Sequence, residues 1–226
     1  MNTVGQLARQ SAERFPSLTA VVDGDVSLTF PELFAESQRA ARGLIALGIE
    51  RGDRVGLWAP NIWEWIVAAI AVHSVGAVLV PVNTRFLGKE AAFVLAKSRA
   101  RLLFTVRDFL GKDYVDLLDQ GDELLDLGPI VLLRGEASGG GESRAGTDRL
   151  CWGDFLTRGD RVESAEAERR AAEVCADDVC DILFTSGTTG KPKGVMSTHG
   201  QTLRAFQTWS ETVGLVAGDR YLVVVP

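Results

Sequence analysis

Cysteine and histidine are scarce in this chain, with three cysteines (Cys151, Cys175, Cys180) and two histidines (His73, His199) among 226 residues. The cysteines are odd in number and show no C-x-x-C spacing, which excludes a secreted disulfide framework. Free, mostly buried thiols in a reducing cytoplasm are the expectation. A basic excess is missing too: the formal net charge is −6 and the sequence pI about 5.1. With no basic run to offset it, that field repels polyanions, so nucleic-acid binding is excluded. The start, MNTVGQLARQSAERF, lacks the apolar core of a signal peptide. The apolar stretch from Ile66 to Val82 is interrupted by His73, Ser74 and Gly76 and preceded by Glu64. It reads as a buried helix that ends at Gly76 and feeds a buried strand, and no transmembrane segment is expected.

What is present suits a globule with a real core: 46% of residues are hydrophobic, 24% are charged, and mean hydropathy is +0.09. Thr3 and Gln6 form a capping-box pattern before a short helix, and Ala20–Asp23 and Val26–Thr29 flank Gly24-Asp25 as a β-hairpin. Thr29 and Glu32 make a second capping box, with Pro31 near the first helical position and Gly48 placed to stop that helix. Arg54–Ala59 is a strand candidate, Asn61 caps the next helix, and Ala77–Val82 is the next strand. Helices at Glu90–Lys97 and Tyr114–Leu118 then alternate with strands at Leu102–Val106 and Ile130–Leu133. Alternation of this kind predicts an α/β fold with a largely parallel sheet flanked by helices.

Between Gly135 and Asp148 the composition turns to Gly, Ser, Glu and Arg, which predicts a flexible loop over 135–148 between a first α/β portion, 1–134, and a second, 149–226. In the second portion Arg161–Ala176 reads as a solvent-facing helix and Val179–Phe184 as a strand. Ser197 or Thr198 caps a helix through about Thr212, and Arg220–Val225 reads as a final strand.

The segment Phe184–Val195, FTSGTTGKPKGV, directly follows the apolar run Ile182-Leu183-Phe184, which reads as the end of a buried strand. Gly187 and Gly190 free the backbone to turn N–H groups toward an anion, Thr185, Ser186, Thr188 and Thr189 add neutral donors, and Lys191 and Lys193 add charge. Such a loop is shaped to hold phosphate. It is not a Walker A loop, because Thr185 stands where the first glycine belongs and Pro192 follows Gly190-Lys191 where Ser or Thr is needed. Pro192 also prevents a direct run from loop into helix. The alternative reading of this composition is a flexible linker that binds nothing, but the approach from a buried strand argues against it.

At these residues the chain resembles the adenylate-forming (AMP-binding) superfamily: an apolar residue, a Thr/Ser/Gly-rich loop, then Pro-Lys-Gly, matched from Ile182 to Gly194. Leu28-Thr29-Phe30-Pro31-Glu32-Leu33 and Gly76-Ala77-Val78-Leu79-Val80-Pro81-Val82-Asn83 are similar to two further elements of that family, in the same order. The resemblance implies the N-terminal part of the large domain of an acyl-CoA synthetase, truncated before the family's later motifs and its C-terminal domain. It implies ATP, Mg²⁺ and coenzyme A as cofactor and co-substrates and a small-molecule carboxylic acid as substrate. It also implies phosphate contacts from Thr185, Ser186, Gly187, Thr188, Thr189, Gly190, Lys191 and Lys193, a catalytic role for Lys193, and Thr185 as the magnesium ligand. An adenylation domain of a peptide synthetase and a non-catalytic nucleotide- or partner-binding module are the alternatives. His199 and His73 read as structural residues more than catalytic ones, and Trp58, Trp63 and Trp65 as core residues at an apolar strand–helix junction.

Overall fold

The structure is a computed structural model and describes residues 2–119, 127–136, 148–185 and 192–224. Helix α1 (Val4–Arg14) opens on Thr3, whose hydroxyl accepts from the Gln6 N–H, while the Gln6 side chain reaches back to the N–H of Asn2. Strands β1 (Thr19–Asp23) and β2 (Val26–Thr29) form the expected hairpin, turned at Gly24 with φ +58°. The Thr29–Glu32 capping box then starts α2 (Phe30–Ala46).

Strand β3 (Arg54–Trp58), helix α3 (Trp63–Ser74) and strand β4 (Val78–Pro81) follow as anticipated, and Gly76 makes the turn between α3 and β4 at φ +76°. Asn61 is not the cap of α3. Ile62 takes that position, and the Trp63 N–H donates instead to Asp23 of the β1–β2 turn, so the helix start is held by a tertiary contact.

Next come α4 (Gly88–Ser98), β5 (Ala100–Thr105), the hairpin β6 (Asp108–Phe109) and β7 (Lys112–Asp113), α5 (Tyr114–Asp119) and β8 (Ile130–Leu132). The β6–β7 hairpin turns through Leu110 and Gly111, both at positive φ (53° and 71°), as a two-residue mirror-image turn requires. Of the expected loop, residues 137–147 lie outside the described residues. Beyond it stand β9 (Arg149–Cys151), α6 (Trp152–Gly159), α7 (Ser164–Glu173), β10 (Val179–Thr185), β11 (Lys193–Thr198) and α8 (His199–Val213).

One seven-stranded sheet runs in the order β11-β10-β4-β3-β5-β8-β9, and every neighbouring pair is parallel except β10–β11. It takes strands from both sides of the 135–148 segment. Strands buried on both faces carry continuous apolar runs rather than alternation. Accordingly Val55, Leu57, Val80, Leu102, Leu103, Phe104, Val131 and Leu132 are all fully buried. Helix α2 packs against α1, α3, α6 and α7, whereas α4 pairs with α5. Of the expected strand at Arg220–Val225, the described residues Arg220 to Val224 carry no strand pairing, and Leu222, Val223 and Val224 are exposed. No described strand stands beside them to complete a ladder. Among the described residues no helix is long and apolar enough to cross a membrane.

Candidate functional site

Strand β10 ends at the carboxyl edge of the parallel strands, where open α/β sheets bind their ligands. The sequence predicts a strand over Val179–Phe184 and a loop from there to Val195; the structure narrows the loop. Phe184 and Thr185 finish β10, Lys193-Gly194-Val195 begin β11, and the two strands pair as Thr185↔Lys193 and Phe184↔Gly194. Both described flanks of the segment are therefore strand, and Pro192, which has no N–H to give, sits just before the ladder. Thr185 and Lys193 are brought opposite one another at the mouth, both exposed. Ser186, Gly187, Thr188, Thr189, Gly190 and Lys191 lie outside the described residues.

Gly194 has a packing reason to be glycine. A Cβ there would stand 2.8 Å from Ile182 Cγ2 and 3.3 Å from the Phe184 ring, so these side chains lie across the bare backbone. Ile182 and Phe184 pack on the core, but Leu183 is 48% exposed, which corrects its reading as part of a fully buried run. The hairpin forms the sheet edge. Val195, Met196 and, on α8, Phe206 and Trp209 are exposed as well.

A polar cluster lies at the other end of the hairpin. His73 Nε2 on α3 is 3.1 Å from Asp181 Oδ1, Cys180 Sγ donates to Asp181 Oδ2 at 3.0 Å, and the Thr202 hydroxyl of α8 is 3.3 Å from Cys180 Sγ. His199 is fully buried, its ring edge-on to His73 with centroids 5.5 Å apart, and its Nδ1 accepts from the Val4 N–H of α1. Burial, reinforced by His73, lowers the His199 pKa to about 4 against the opposing pull of Asp181 and Asp178. Burial also pushes the Cys180 thiol up to about 12, with Asp181 adding to the rise. Burial would raise Asp181, but hydrogen bonds from His73 and Cys180 and the imidazoles more than offset it and leave that carboxyl below its ordinary range.

His73, Cys180 and Asp181 have donor atoms within 4.8 Å of one another, a spacing open to a metal ion. In the structure these donors bond to each other as a hydrogen-bonded network. His73 Nδ1 and His199 Nε2 are buried without a hydrogen-bond partner among the described residues. Of the thiols only Cys180 is buried; Cys151 is half-buried and accepts from the Asp154 N–H, and Cys175 is exposed beside Arg51.

Trp58 is a core residue, fully buried and stacked on Tyr114 at 4.1 Å and 15°, with its Nε1–H donating to the Asn83 carbonyl; Trp63 and Trp65 pack partly buried against the same core. Tyr114 donates to the neighbouring Thr84 carbonyl, fixing the segment after β4. Sequence gave no signal for that pairing, since Trp58 and Tyr114 belong to distant segments.

The AMP-binding enzyme family matches residues 8–226. The chain is 40% identical over 225 residues to a methyl-dioxo-octahydroindenyl-propanoyl:CoA ligase of Rhodococcus jostii, covering 99% of this chain and 43% of the relative. It is 32% identical over 228 residues to the long-chain-fatty-acid–CoA ligase FadD13 of Mycobacterium tuberculosis, covering 100% of this chain and 41% of the relative. Its fold is similar to the inhibitor-bound N-terminal domain of FACL13 from Mycobacterium tuberculosis, with a TM-score of 0.74 and 30% identity over 98% of this chain and 49% of that one. The chain thus spans about two fifths of the length of these curated relatives. With β10 entering the segment from the parallel sheet and Lys193-Gly194 opening the returning strand, this chain belongs to the AMP-binding enzyme family.

Proposed function

We propose that this chain is the phosphate-holding, N-terminal part of an ATP-dependent acyl-CoA synthetase. The supporting observation is the Thr185–Lys193 pair at the mouth of a hairpin that opens at the carboxyl edge of the sheet. In the proposed reaction a carboxylate oxygen of the acid attacks the α-phosphorus of ATP, and the bond to the bridging oxygen breaks. Acyl-AMP forms and pyrophosphate leaves. The sulfur of coenzyme A then attacks the acyl carbon and displaces AMP. A carboxylate is ionised at neutral pH, so no activating base is needed, and the protein's task is alignment and charge neutralisation.

Thr185, Ser186, Gly187, Thr188, Thr189 and Gly190 would supply backbone N–H and hydroxyl donors to the β- and γ-phosphates. Lys193 would offset the charge on departing pyrophosphate, and Lys191 would add to the local field. An exposed hydroxyl oxygen at Thr185 fits a hard cation that keeps most of its shell as water and phosphate. Bound there, Mg²⁺ would supply neutralisation of phosphate charge. Three cysteines with no disulfide suit a reducing compartment, the cytoplasm, and the acidic balance suits a protein of small-molecule metabolism that does not bind nucleic acid.

The test is pyrophosphate release and thioester formation from ATP, coenzyme A and a panel of acids, run on the 226-residue chain and on the longest polypeptide that carries it. A ring-bearing propanoate heads the panel, since the relatives at 40% and 39% identity are propanoyl:CoA ligases, followed by medium- and long-chain fatty acids. The longer polypeptide is expected to turn over and the chain alone is not. Loss of turnover on Lys193→Ala, with the fold intact, is the expected signature of the loop. A longer polypeptide that forms no acyl-CoA from any acid tested, yet binds MgATP, would favour the non-catalytic reading.

A further inference from the structure

We infer that His73, Asp181 and His199 form a clasp that positions the phosphate loop from the opposite end of its hairpin. This rests on the loop reading above. The loop connects β10 to β11, so its seat depends on how those strands are registered and where the pair lies against the rest of the fold. Only Asp181 of β10 is paired with β4, opposite Leu79, so strand pairing by itself holds the hairpin weakly to the sheet.

The polar cluster supplies the missing restraint. Asp181 ties β10 to α3 through His73, and the Thr202 hydroxyl, 3.4 Å from Asp181 Oδ2, ties α8 to the same carboxylate. His199, the residue after β11, is held to α1 through the Val4 N–H, and its own N–H donates to the Asp178 carbonyl just before β10. Both ends of the hairpin's base are therefore fixed to two helices of the core. The ladder carries a register irregularity between Val179 and Asp181, at the same place. A strand pair with an irregular base can slip by a residue, and a slip would exchange the faces of every side chain up to Thr185 and Lys193. The carboxylate bonded to α3 and α8 opposes that slip.

His73 and Asp181 are positioning residues here; neither is placed at the hairpin mouth. The substitution that isolates the effect is His73→Phe, which keeps ring bulk and removes the Nε2 contact. His73→Gln restores a donor near Nε2. Val131→Ala is the stability control, because Val131 is fully buried on β8, on the far side of β4, β3 and β5 from β10. In the longest polypeptide that carries the chain, His73→Phe is expected to raise the KM for ATP about tenfold, a coupling of about 1.4 kcal/mol, with the KM for the acid unchanged. His73→Gln should recover most of that loss, and Val131→Ala should leave the KM for ATP unchanged at a comparable drop in melting temperature. Equal ATP parameters in His73→Phe and Val131→Ala at matched stability would overturn the clasp as a positioning device. Amide exchange gives a reading independent of nucleotide: His73→Phe should speed exchange at the Leu183–Val195 end of the hairpin more than in β5 and β8. If the parent polypeptide shows no ATP-dependent activity, the loop reading fails, and the exchange pattern still decides the clasp; uniform exchange across the sheet overturns it.

Discussion

Phe184 lies directly across the hairpin from Gly194, its ring 3.3 Å and Ile182 Cγ2 2.8 Å from where a Cβ at 194 would stand. Gly194→Ala would force Ile182 and Phe184 to move, at a cost of about 1 kcal/mol. Because the mouth pair Thr185–Lys193 is the next step of the ladder, the same change is expected to raise the KM for ATP several-fold. Steady-state kinetics with varied ATP checks it; an unchanged KM would separate the packing of Gly194 from the loop.

His199 gives the fold an acid-sensitive element. Its pKa falls from 6.5 in the unfolded chain to about 4 in the folded one, so the unfolded state takes up the proton first as pH drops. Stability contributed by the neutral, buried imidazole is complete above pH 6.5 and is lost as pH falls toward 4, by about 3 kcal/mol across the window. Asp181, whose folded pKa is lowered, contributes stability that fades only below its ordinary value of 3.8. Urea titrations from pH 7 to pH 4 should show the steeper slope in the parent and a shallower one in His199→Asn. Parallel slopes would remove His199 as the source.

Helices α2 and α6 meet through glycine. A Cβ on Gly159 would stand 2.6 Å from the Gly43 nitrogen and 3.0 Å from the Arg42 carbonyl carbon, both backbone atoms with nowhere to go. Gly159→Ala is expected to destabilise the chain by about 2–3 kcal/mol. Thermal unfolding would reveal it, and a melting temperature within 1 °C or so of the parent would mean that α6 can move away at little cost.

Arg134 joins three segments: it bonds both oxygens of Glu64 at 2.8 Å and Asp23 at 2.5 Å, and Asp23 also accepts from the Trp63 N–H. Glu64 is 6% exposed, while the Arg134 side chain is 46% exposed, so solvent screens part of the pairing. Glu64→Ala is expected to cost about 1–2 kcal/mol, and a double-mutant cycle with Arg134→Ala should return a coupling below that value.

Much of the fold was legible because local rules and tertiary outcome agree. The capping box at Thr29, the cap offered at Ser197 or Thr198, the Gly24 turn and the apolar runs within β3, β4 and β5 each carry their own physical signal. Strand β9 and helix α6 were missed, since Arg149–Cys151 is only three residues long and becomes a strand by pairing with β8. Asn61 was read as a cap on composition, but Asp23, far away in sequence, took the helix start. The start of β11 was hidden in a motif that reads as loop, because strand character there comes from pairing with β10.

The sequence by itself determined the family and the α/β alternation: a Thr/Ser/Gly-rich segment with Pro-Lys-Gly and apolar strands are local patterns that need no distant partner to be recognised. Only the tertiary structure decided that Lys193 stands on a strand opposite Thr185, that Ile182 and Phe184 pack across the bare backbone of Gly194, and that His73, Asp181 and His199 meet at the hairpin base. Those relations join residues from separate segments, and packing and pairing across the sheet, which no local propensity encodes, bring them together.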